Sequence, residues 1–140
     1  MLLEFKTKNY KSFVEEASFS MVAAPKQKGL DYSLMKTKIK GKEIKGLSSS
    51  VIYGPNAAGK TNIIGAMDVL RAIVLRGNIR NSEEKSSPNP AAAALELIPN
   101  NNEMESKPVC FEIEFYEEDG EDHKFKIHYE LEVDLGTFLE

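Results

Sequence analysis

The chain has 140 residues, of which 41% are hydrophobic and 29% are charged. These proportions are ordinary for a globular protein, and the length suits one domain that buries its own core. No apolar run reaches the ~18 residues of a membrane-spanning helix, and charged residues interrupt the amino terminus where a signal peptide would be apolar. We therefore predict one cytoplasmic domain over residues 1–140, with no membrane partner.

The net charge of −4 is distributed unevenly along the chain. Residues 1–76 carry 13 Lys and Arg against 6 Asp and Glu, whereas residues 101–140 carry 3 against 13. A basic front half favours a polyanionic ligand. Cys110, the single cysteine, cannot form an internal disulfide and is interpreted as a buried, unreactive thiol. His123 and His128 have no metal-ligand spacing around them, which favours surface or edge-strand positions.

The first fifty residues are predicted to form short, mainly antiparallel strands. Leu3, Phe5 and Thr7 alternate with charged residues, which indicates a half-buried strand. Similar alternation predicts three more strands, which cover residues 17–22, the stretch from residue 34, and residues 43–47. Gly41 offers a turn between the last two.

The middle of the chain is predicted to form a buried strand and then a helix, separated by a glycine-rich stretch. Residues 51–53 are apolar and lie between three serines and a glycine, as is typical of a buried strand. The helix is predicted over residues 60–76, where apolar side chains recur at helical spacing: Ile63, Met67, Leu70 and Val74, widened by Ile64, Val69 and Ile73. Because so much of its surface is apolar, we expect the helix to be covered on most sides and to end at Gly77.

The rest of the chain divides into an insertion and a hairpin. Residues 77–107 are rich in polar residues and breakers around a short apolar piece, which predicts a mobile insertion. Two alternating stretches then flank Asp119 and Gly120, which predicts an acidic β-hairpin.

Residues 54–61 read Gly-Pro-Asn-Ala-Ala-Gly-Lys-Thr and match the Walker A pattern Gly-x-x-x-x-Gly-Lys-Ser/Thr; we call them the phosphate loop. Its glycines let backbone amides approach phosphates, and the start of the following helix adds unpaired donors and partial positive charge. The lysine brings a charge to the β and γ phosphates, and the threonine hydroxyl is a Mg²⁺ ligand. We therefore predict binding of a nucleoside triphosphate, ATP with Mg²⁺.

The predicted site follows from this chemistry. Lys60 is the predicted catalytic residue and Thr61 the predicted metal ligand. The predicted nucleotide-binding residues of the loop and first helical turn are Asn56, Ala57, Ala58, Gly59, Lys60, Thr61 and Asn62.

The layout of the chain resembles that of a known class of ATPase. Small GTPases and nucleotide kinases carry the phosphate loop after the first strand, whereas here about fifty residues of strand-forming sequence precede it. Residues 9–13 (Asn-Tyr-Lys-Ser-Phe), residues 55–56 (Pro-Asn) and the strand over residues 111–115 are similar to ATPase heads of the ABC type. The resemblance is strongest to SMC/RecF-like and OLD-like bacterial AAA-family ATPases, of the kind found in anti-phage defence proteins.

This resemblance implies an α/β fold, a P-loop NTPase of the ABC-ATPase head type. Its parts would be amino-terminal antiparallel strands, the phosphate-loop strand and helix, and the acidic β-hairpin. It implies that Lys11 and Ser12 lie beside the nucleotide, although a solvated turn is the alternative for this pair. It also implies a homodimer of heads that encloses ATP, and DNA as a possible partner.

Several parts of the resembled heads are missing from the sequence. The resembled heads carry a signature segment of the LSGG kind and a Walker B strand that ends in Asp-Glu, and this sequence has neither. They also carry a glutamine loop, whereas Gln27, the only glutamine here, precedes the phosphate loop. We therefore expect an incomplete head that binds ATP and, when complete, hydrolyses it in a DNA-related or phage-defence process. The alternatives are a nucleotide-binding module without hydrolysis and, less in keeping with the late loop, a P-loop kinase or GTPase.

Four lysines at alternate positions offer a second candidate site. Lys36, Lys38, Lys40 and Lys42 would line one face of a continuous strand at ~7 Å intervals. Such a row suits nucleic-acid phosphates. A solvated strand face, protected from aggregation by lysine, is the simpler interpretation, which we prefer, and a turn at Gly41 would break the row.

Overall fold

The computed structural model describes residues 1–25, 29, 31–77, 79, 97–100, 107–119 and 123–134. Its strands are β1 (Leu2–Lys8), β2 (Ala17–Ser20), β3 (Leu34–Ile39), β4 (Lys42–Leu47), β5 (Val109–Glu118) and β6 (Lys124–Val133). One α-helix, α1 (Lys60–Arg76), and a 3₁₀ turn at Asp31–Ser33 complete the described elements. None of the described helices is long and apolar enough to cross a membrane.

Four strands form an antiparallel sheet in the order β2-β1-β5-β6. The alternation that predicted β1 is confirmed, because Leu3, Phe5 and Thr7 are buried on the inner face. The hairpin is confirmed as well, with β5 and β6 paired from Val109↔Val133 to Glu118↔Lys124. Residues 120–122, which join the two strands, lie outside the described residues.

Helix α1 packs on the inner face of this sheet and has the predicted bounds. It ends at Gly77, whose left-handed φ of 68° lets its amide donate to the Ile73 carbonyl at 2.8 Å. The buried side of the helix meets Phe5, Tyr10 and Phe111 in the core, and it consists of Ile63, Ala66, Val69, Leu70 and Ile73.

The expectation that α1 is covered on most sides is wrong. Ile64 and Val74 are exposed, and Leu75 is 61% exposed. The sheet packs on one side of the helix, Val74 and Leu75 line an open apolar groove of about 470 Å³ between α1 and strands β5 and β6, and Ile64 is 56% exposed. The apolar pattern correctly identified the side chains of α1 whose burial is favourable, but it did not determine which of them another element covers.

The predicted buried strand over residues 51–53 is also wrong. These residues pair with no described strand, and Val51 is 68% and Tyr53 86% exposed. Burial would leave the backbone N–H and C=O groups of these residues unsatisfied, because no described strand pairs with them. Residues 51–53 therefore approach the phosphate loop as an exposed segment without strand pairing.

The segment after β2 links the sheet to a two-stranded ribbon, since the Met21 amide donates to the Leu3 carbonyl at 2.7 Å and the Met21 carbonyl accepts from the Leu47 amide at 2.7 Å. The predicted strand over residues 17–22 is shorter in the structure, since β2 ends at Ser20 and Val22 makes a single bridge to Gly46 of β4. β3 and β4 pair through a two-residue turn at Lys40 and Gly41, which have positive φ of 48° and 78°. A two-residue turn with positive φ at both positions matches the natural twist of a hairpin.

This turn breaks the lysine row, as anticipated for Gly41. Lys42 lies opposite Ile39, whereas Lys38 lies opposite Glu43. Because partners across an antiparallel pair share a face, Lys42 points to the face opposite Lys38. Most of the predicted insertion over residues 77–107 lies outside the described residues.

Candidate nucleotide-binding site

The phosphate loop leads directly into the first turn of α1. Within it, Ala57 and Gly59 have positive φ of 64° and 81°, and the Ala58 amide donates to the Pro55 carbonyl at 3.3 Å. Gly59 is the N-cap of the helix, and its carbonyl accepts from the Asn62 amide at 2.9 Å. The loop is thus a tight backbone turn that delivers the chain to the helix start.

The predicted loop residues surround an open depression of about 280 Å³, lined by Ala57, Ala58, Gly59, Lys60, Thr61 and Asn62. The backbone amides of Gly59, Lys60 and Thr61 donate to no acceptor among the described residues. The first amides of a helix have no partner inside the helix, and no side chain caps this end. The depression therefore combines free N–H donors with the positive end of a helix dipole, a combination that binds anions.

The side chain of Lys60 folds back across the loop. Its Nζ atom donates to the carbonyl oxygens of Gly54 at 2.9 Å and Pro55 at 2.6 Å. The ammonium is therefore held among neutral acceptors, and a phosphate oxygen would replace them with a charged one, which makes a stronger bond.

A turn after β1 packs against the loop from outside. Tyr10 and Phe13 close this turn by exchanging backbone hydrogen bonds of 3.0 and 2.8 Å. At its tip, Ser12 Oγ accepts from Asn62 Nδ2 at 2.7 Å. A Cβ at Gly59 would lie 2.9 Å from the Phe13 ring and 3.0 Å from Ser12 Oγ, so only glycine fits there without a shift.

A family model described as "AAA domain, putative AbiEii toxin, Type IV TA system" matches residues 49–139, more than half of the chain. The chain belongs to this AAA-domain family. The match begins just before the phosphate loop and includes α1, β5 and β6, so the antiparallel sheet with one helix is consistent with an AAA-type P-loop domain. No curated protein and no solved structure matches the chain. The family is one of nucleotide-binding ATPase modules, and the matched residues include the phosphate loop.

Lys11 lies beside Ser12 in the turn of the AAA domain, with a different set of contacts. Its Nζ atom is 5.5 Å from the centroid of the Tyr10 ring, a cation–π contact. Its amide donates to the Ile98 carbonyl at 2.8 Å, and its carbonyl accepts from Asn100 Nδ2 at 2.6 Å. The structure thus brings Ser12 onto the loop, and contact of Lys11 and Ser12 with a nucleotide stays a prediction.

Sequence reasoning missed the residues that fix this turn. The Asn9 side chain donates to the Lys107 carbonyl at 2.7 Å, and its Oδ1 accepts from the Asn100 amide at 3.2 Å. Tyr10 is fully buried, and its hydroxyl lies 3.3 Å from where a Cβ of Gly65 would be. The only local signal was Asn9 itself, since asparagine tolerates the positive φ of 53° that it has here.

The outer face of the sheet carries a ladder of ion pairs. Glu112 accepts from Lys6 at 2.9 Å and Glu114 from Lys126 at 2.7 Å. The Lys126 bond lowers the pKa of Glu114, and the Lys6 pKa is raised by its bond to Glu112. Glu112 and Glu114 face away from α1, so the sheet separates these carboxylates from the phosphate loop.

His128 also belongs to this ladder, through a contact with Glu114 on the neighbouring strand that the local sequence did not indicate. Its Nε2 lies 2.7 Å from Glu130 and its Nδ1 3.2 Å from Glu114, and these carboxylates raise the pKa of His128. The register of β5 and β6 brings ligand atoms of Glu112, Glu114 and His128 within 4.8 Å of one another. Because lysines already neutralise both of these carboxylates, we interpret the group as an ion-pair network. The edge-strand position expected for His128 is confirmed.

Cys110, on the same outer face, is half-buried rather than fully buried. Burial raises the pKa of its thiol, and a raised pKa disfavours the nucleophilic thiolate. The interpretation of an unreactive cysteine therefore agrees with its surroundings.

Proposed function

We propose that this AAA domain is the ATP-binding lobe of an ABC-type, SMC/RecF-like ATPase head. The observation that carries the proposal is the open depression at the start of α1, where three backbone amides have no described acceptor. The phosphates of ATP would accept from these amides. The Lys60 ammonium would exchange its hydrogen bonds to the carbonyls of Gly54 and Pro55 for hydrogen bonds to the β and γ phosphates.

Thr61 is the residue of this loop that fits Mg²⁺. Its side chain is exposed at the depression, and its hydroxyl bonds to no described residue. Hard oxygen ligands suit this ion, which would neutralise charge on the β and γ oxygens. We expect Mg²⁺ to strengthen ATP binding less in Thr61→Ala than in the parent chain.

The exposed apolar surfaces support a larger assembled head. Residues 51–53 and part of α1 present apolar side chains to solvent, and large exposed apolar patches mark interaction sites. In the proposed head, further strands pair beside residues 51–53 and cover this part of α1. Two such heads form a homodimer that encloses ATP, with Lys11 and Ser12 beside the nucleotide.

The proposed cellular role is DNA-related or in phage defence, in the cytoplasm. The family's description names an AbiEii toxin of a type IV TA system. The resemblance of residues 9–13 and 55–56 to anti-phage ATPases points to the same kind of process.

The decisive test is the affinity for ATP of the Lys60→Ala variant. A hydrogen bond to a charged group contributes about 1.5–3 kcal/mol, so we expect binding of a fluorescent ATP analogue to weaken by about 10- to 100-fold. Lys8→Ala removes an exposed lysine from the sheet and should bind like the parent. Equal affinity of Lys60→Ala and the parent, with matched circular dichroism, would refute the assignment of the phosphate loop.

A nucleotide-binding module without hydrolysis is the second candidate. It is supported by the sequence, in which no apolar strand is followed by Asp-Glu. A P-loop kinase or GTPase is the third candidate. Competition of ATP and GTP for the same site would distinguish a GTPase from the first two candidates, because a GTPase would prefer GTP.

A further inference from the structure

We propose that the β3–β4 ribbon binds the phosphate backbone of duplex nucleic acid through its tip, formed by Lys38, Lys40 and Lys42. This inference rests on the DNA-related part of the proposed function and deepens it by naming the surface that contacts the partner. ATP binding and duplex binding are measured separately, so either proposal can fail while the other stands.

The first argument is charge. Two lysines of the ribbon are paired: Lys36 pairs with Asp31 at 2.5 Å, and Lys45 pairs at 3.5 Å with Glu43, which lies opposite Lys38. The three tip lysines are exposed and form no ion pair with any described residue. Because Glu43 is paired with Lys45, the unpaired positive charge of the ribbon lies at its tip, where a polyanion would be attracted most strongly.

The second argument is shape. The two strands of the ribbon pair with each other rather than with the four-stranded sheet, β3 touches β6 near Lys36 and Thr37, and a tight two-residue turn forms the tip beyond this contact. Lys38 and Lys42 lie on opposite faces and Lys40 lies at the turn between them. The major groove of B-DNA is ~12 Å wide and admits a two-stranded β-ribbon. Lysines on both faces of such a ribbon would meet the phosphates on both sides of the groove.

The third argument is the composition of the tip, which favours nucleic acid over a membrane or a protein partner. The tip carries no aromatic residue, and its one large apolar side chain, Ile39, is half-buried. Membrane-surface segments insert aromatic and leucine side chains, and protein interfaces are depleted of lysine. Lysine binds phosphate as a point charge. Because no Arg, Asn or Gln stands at the tip to read base edges, binding would be independent of sequence.

The test is binding of the whole chain to a short fluorescent DNA duplex, followed by anisotropy as salt is raised. Three phosphate contacts give a slope of log K against log salt of about −2.7, or a ~40-fold loss between ~50 and ~200 mM salt. The tip variant combines Lys38→Gln, Lys40→Asn and Lys42→Gln, since asparagine is favoured in this turn type. We expect it to lose most of that slope and to bind at least about 10-fold more weakly at the lower salt.

Two control variants make the test specific. Lys8→Gln, Lys124→Gln and Lys126→Gln together remove the same charge from the sheet and should keep the slope. Lys38→Arg with Lys42→Arg keeps both charges and should keep binding, while matched circular dichroism checks folding. The proposal is overturned if the parent fails to bind at ~50 mM salt, if the tip variant binds like the parent, or if the sheet variant loses as much. Capture on anionic phospholipid vesicles, lost in the tip variant, with no duplex binding would also overturn it.

Discussion

Gly59 is the residue at which the phosphate loop, the start of α1 and the turn after β1 meet. Its φ of 81° lies in the left-handed region, and the Phe13 ring and Ser12 hydroxyl occupy the space where a Cβ would stand. The pattern Gly-x-x-x-x-Gly-Lys-Thr predicts a glycine here for access of phosphate. The structure adds a second reason, which is the packing of a distant turn against the loop.

Replacing Gly59 with alanine should damage both the fold and ATP binding, and Gly77 supplies the matched control. Both glycines have positive φ, so alanine costs about 1 kcal/mol of backbone strain at either site, but a Cβ at Gly77 meets no atom within 4 Å. We expect Gly77→Ala to lower stability and leave ATP affinity unchanged, while Gly59→Ala lowers both. Titration with an ATP analogue and thermal unfolding measure these effects. Equal ATP affinity in the two variants would show that Phe13 and Ser12 give way without moving the loop.

His128 should make stability fall as pH rises above 6.5. The Glu130 and Glu114 carboxylates raise its pKa from 6.5 in the folded chain. A raised pKa stabilises the fold fully below pH 6.5, and this contribution is lost as pH rises through the raised value. Urea unfolding across this range should show a decline in the parent that is reduced in His128→Gln and in Glu130→Gln. The same decline in all three proteins would mean that another group causes it.

At the scale of elements, α1 is a helix with one packed side and one open side. The buried side meets the sheet through residues such as Leu70, which is 4% exposed, whereas Leu75 near the same end is 61% exposed. The same residue type thus occupies two environments within five positions. The difference in burial between these two leucines shows which part of α1 is stabilised by packing on the sheet and which part would bury apolar surface only against a further partner.

Substituting these two leucines should therefore have very different effects. Leu70→Ala removes a packed side chain from the core and should lower the free energy of unfolding by about 2–5 kcal/mol. Leu75→Ala removes an exposed one and should change it by less than about 0.5 kcal/mol. Chemical denaturation of the two variants beside the parent measures the difference. Equal losses would mean that Leu75 is packed in solution.

The elements could be predicted from the sequence where their pattern and their partner are close together. α1 has its predicted bounds because apolar spacing and a stop at Gly77 lie within the same segment. The β5–β6 hairpin was predictable for the same reason. The prediction of a buried strand over residues 51–53 failed because an apolar run indicates that burial would be favourable, not that a neighbouring element covers the segment. The contact of Ser12 with Asn62 spans fifty residues and had no local signal.

At the scale of the whole molecule, the depression at the start of α1 is lined by residues 57–62, and none of these described residues is a carboxylate that could orient an attacking water. Glu112 and Glu114 lie on the outer face of the sheet in pairs with Lys6 and Lys126, away from α1. Positive charge from Lys60 and Mg²⁺ still favours some cleavage. The expected outcome is slow turnover, which fits an ATP-binding lobe that needs further parts.

Steady-state phosphate release by the 140-residue chain should therefore stay near the background of Lys60→Ala, although ATP binds. It should rise when the remaining parts of the proposed head are supplied, because they would bring the catalytic carboxylate and the signature segment. Fast turnover by this chain alone, abolished by Lys60→Ala, would contradict the expectation. It would place a catalytic carboxylate within these residues.

The central pairing of β1 with β5 has a consequence for how the protein is made. Phe5 lies opposite Ile113, so the first strand to leave the ribosome waits for one that is more than a hundred residues behind it. β2 and α1 can form from nearby residues in the meantime, whereas pairing across so long a stretch of chain slows folding. Until residue 109 emerges, one edge of β1 stays open beside the apolar side chains of Leu3 and Phe5, and open edges of this kind recruit other chains. A nascent chain held before β5 is therefore the form of this protein most prone to aggregate, and the form for which a chaperone would matter most.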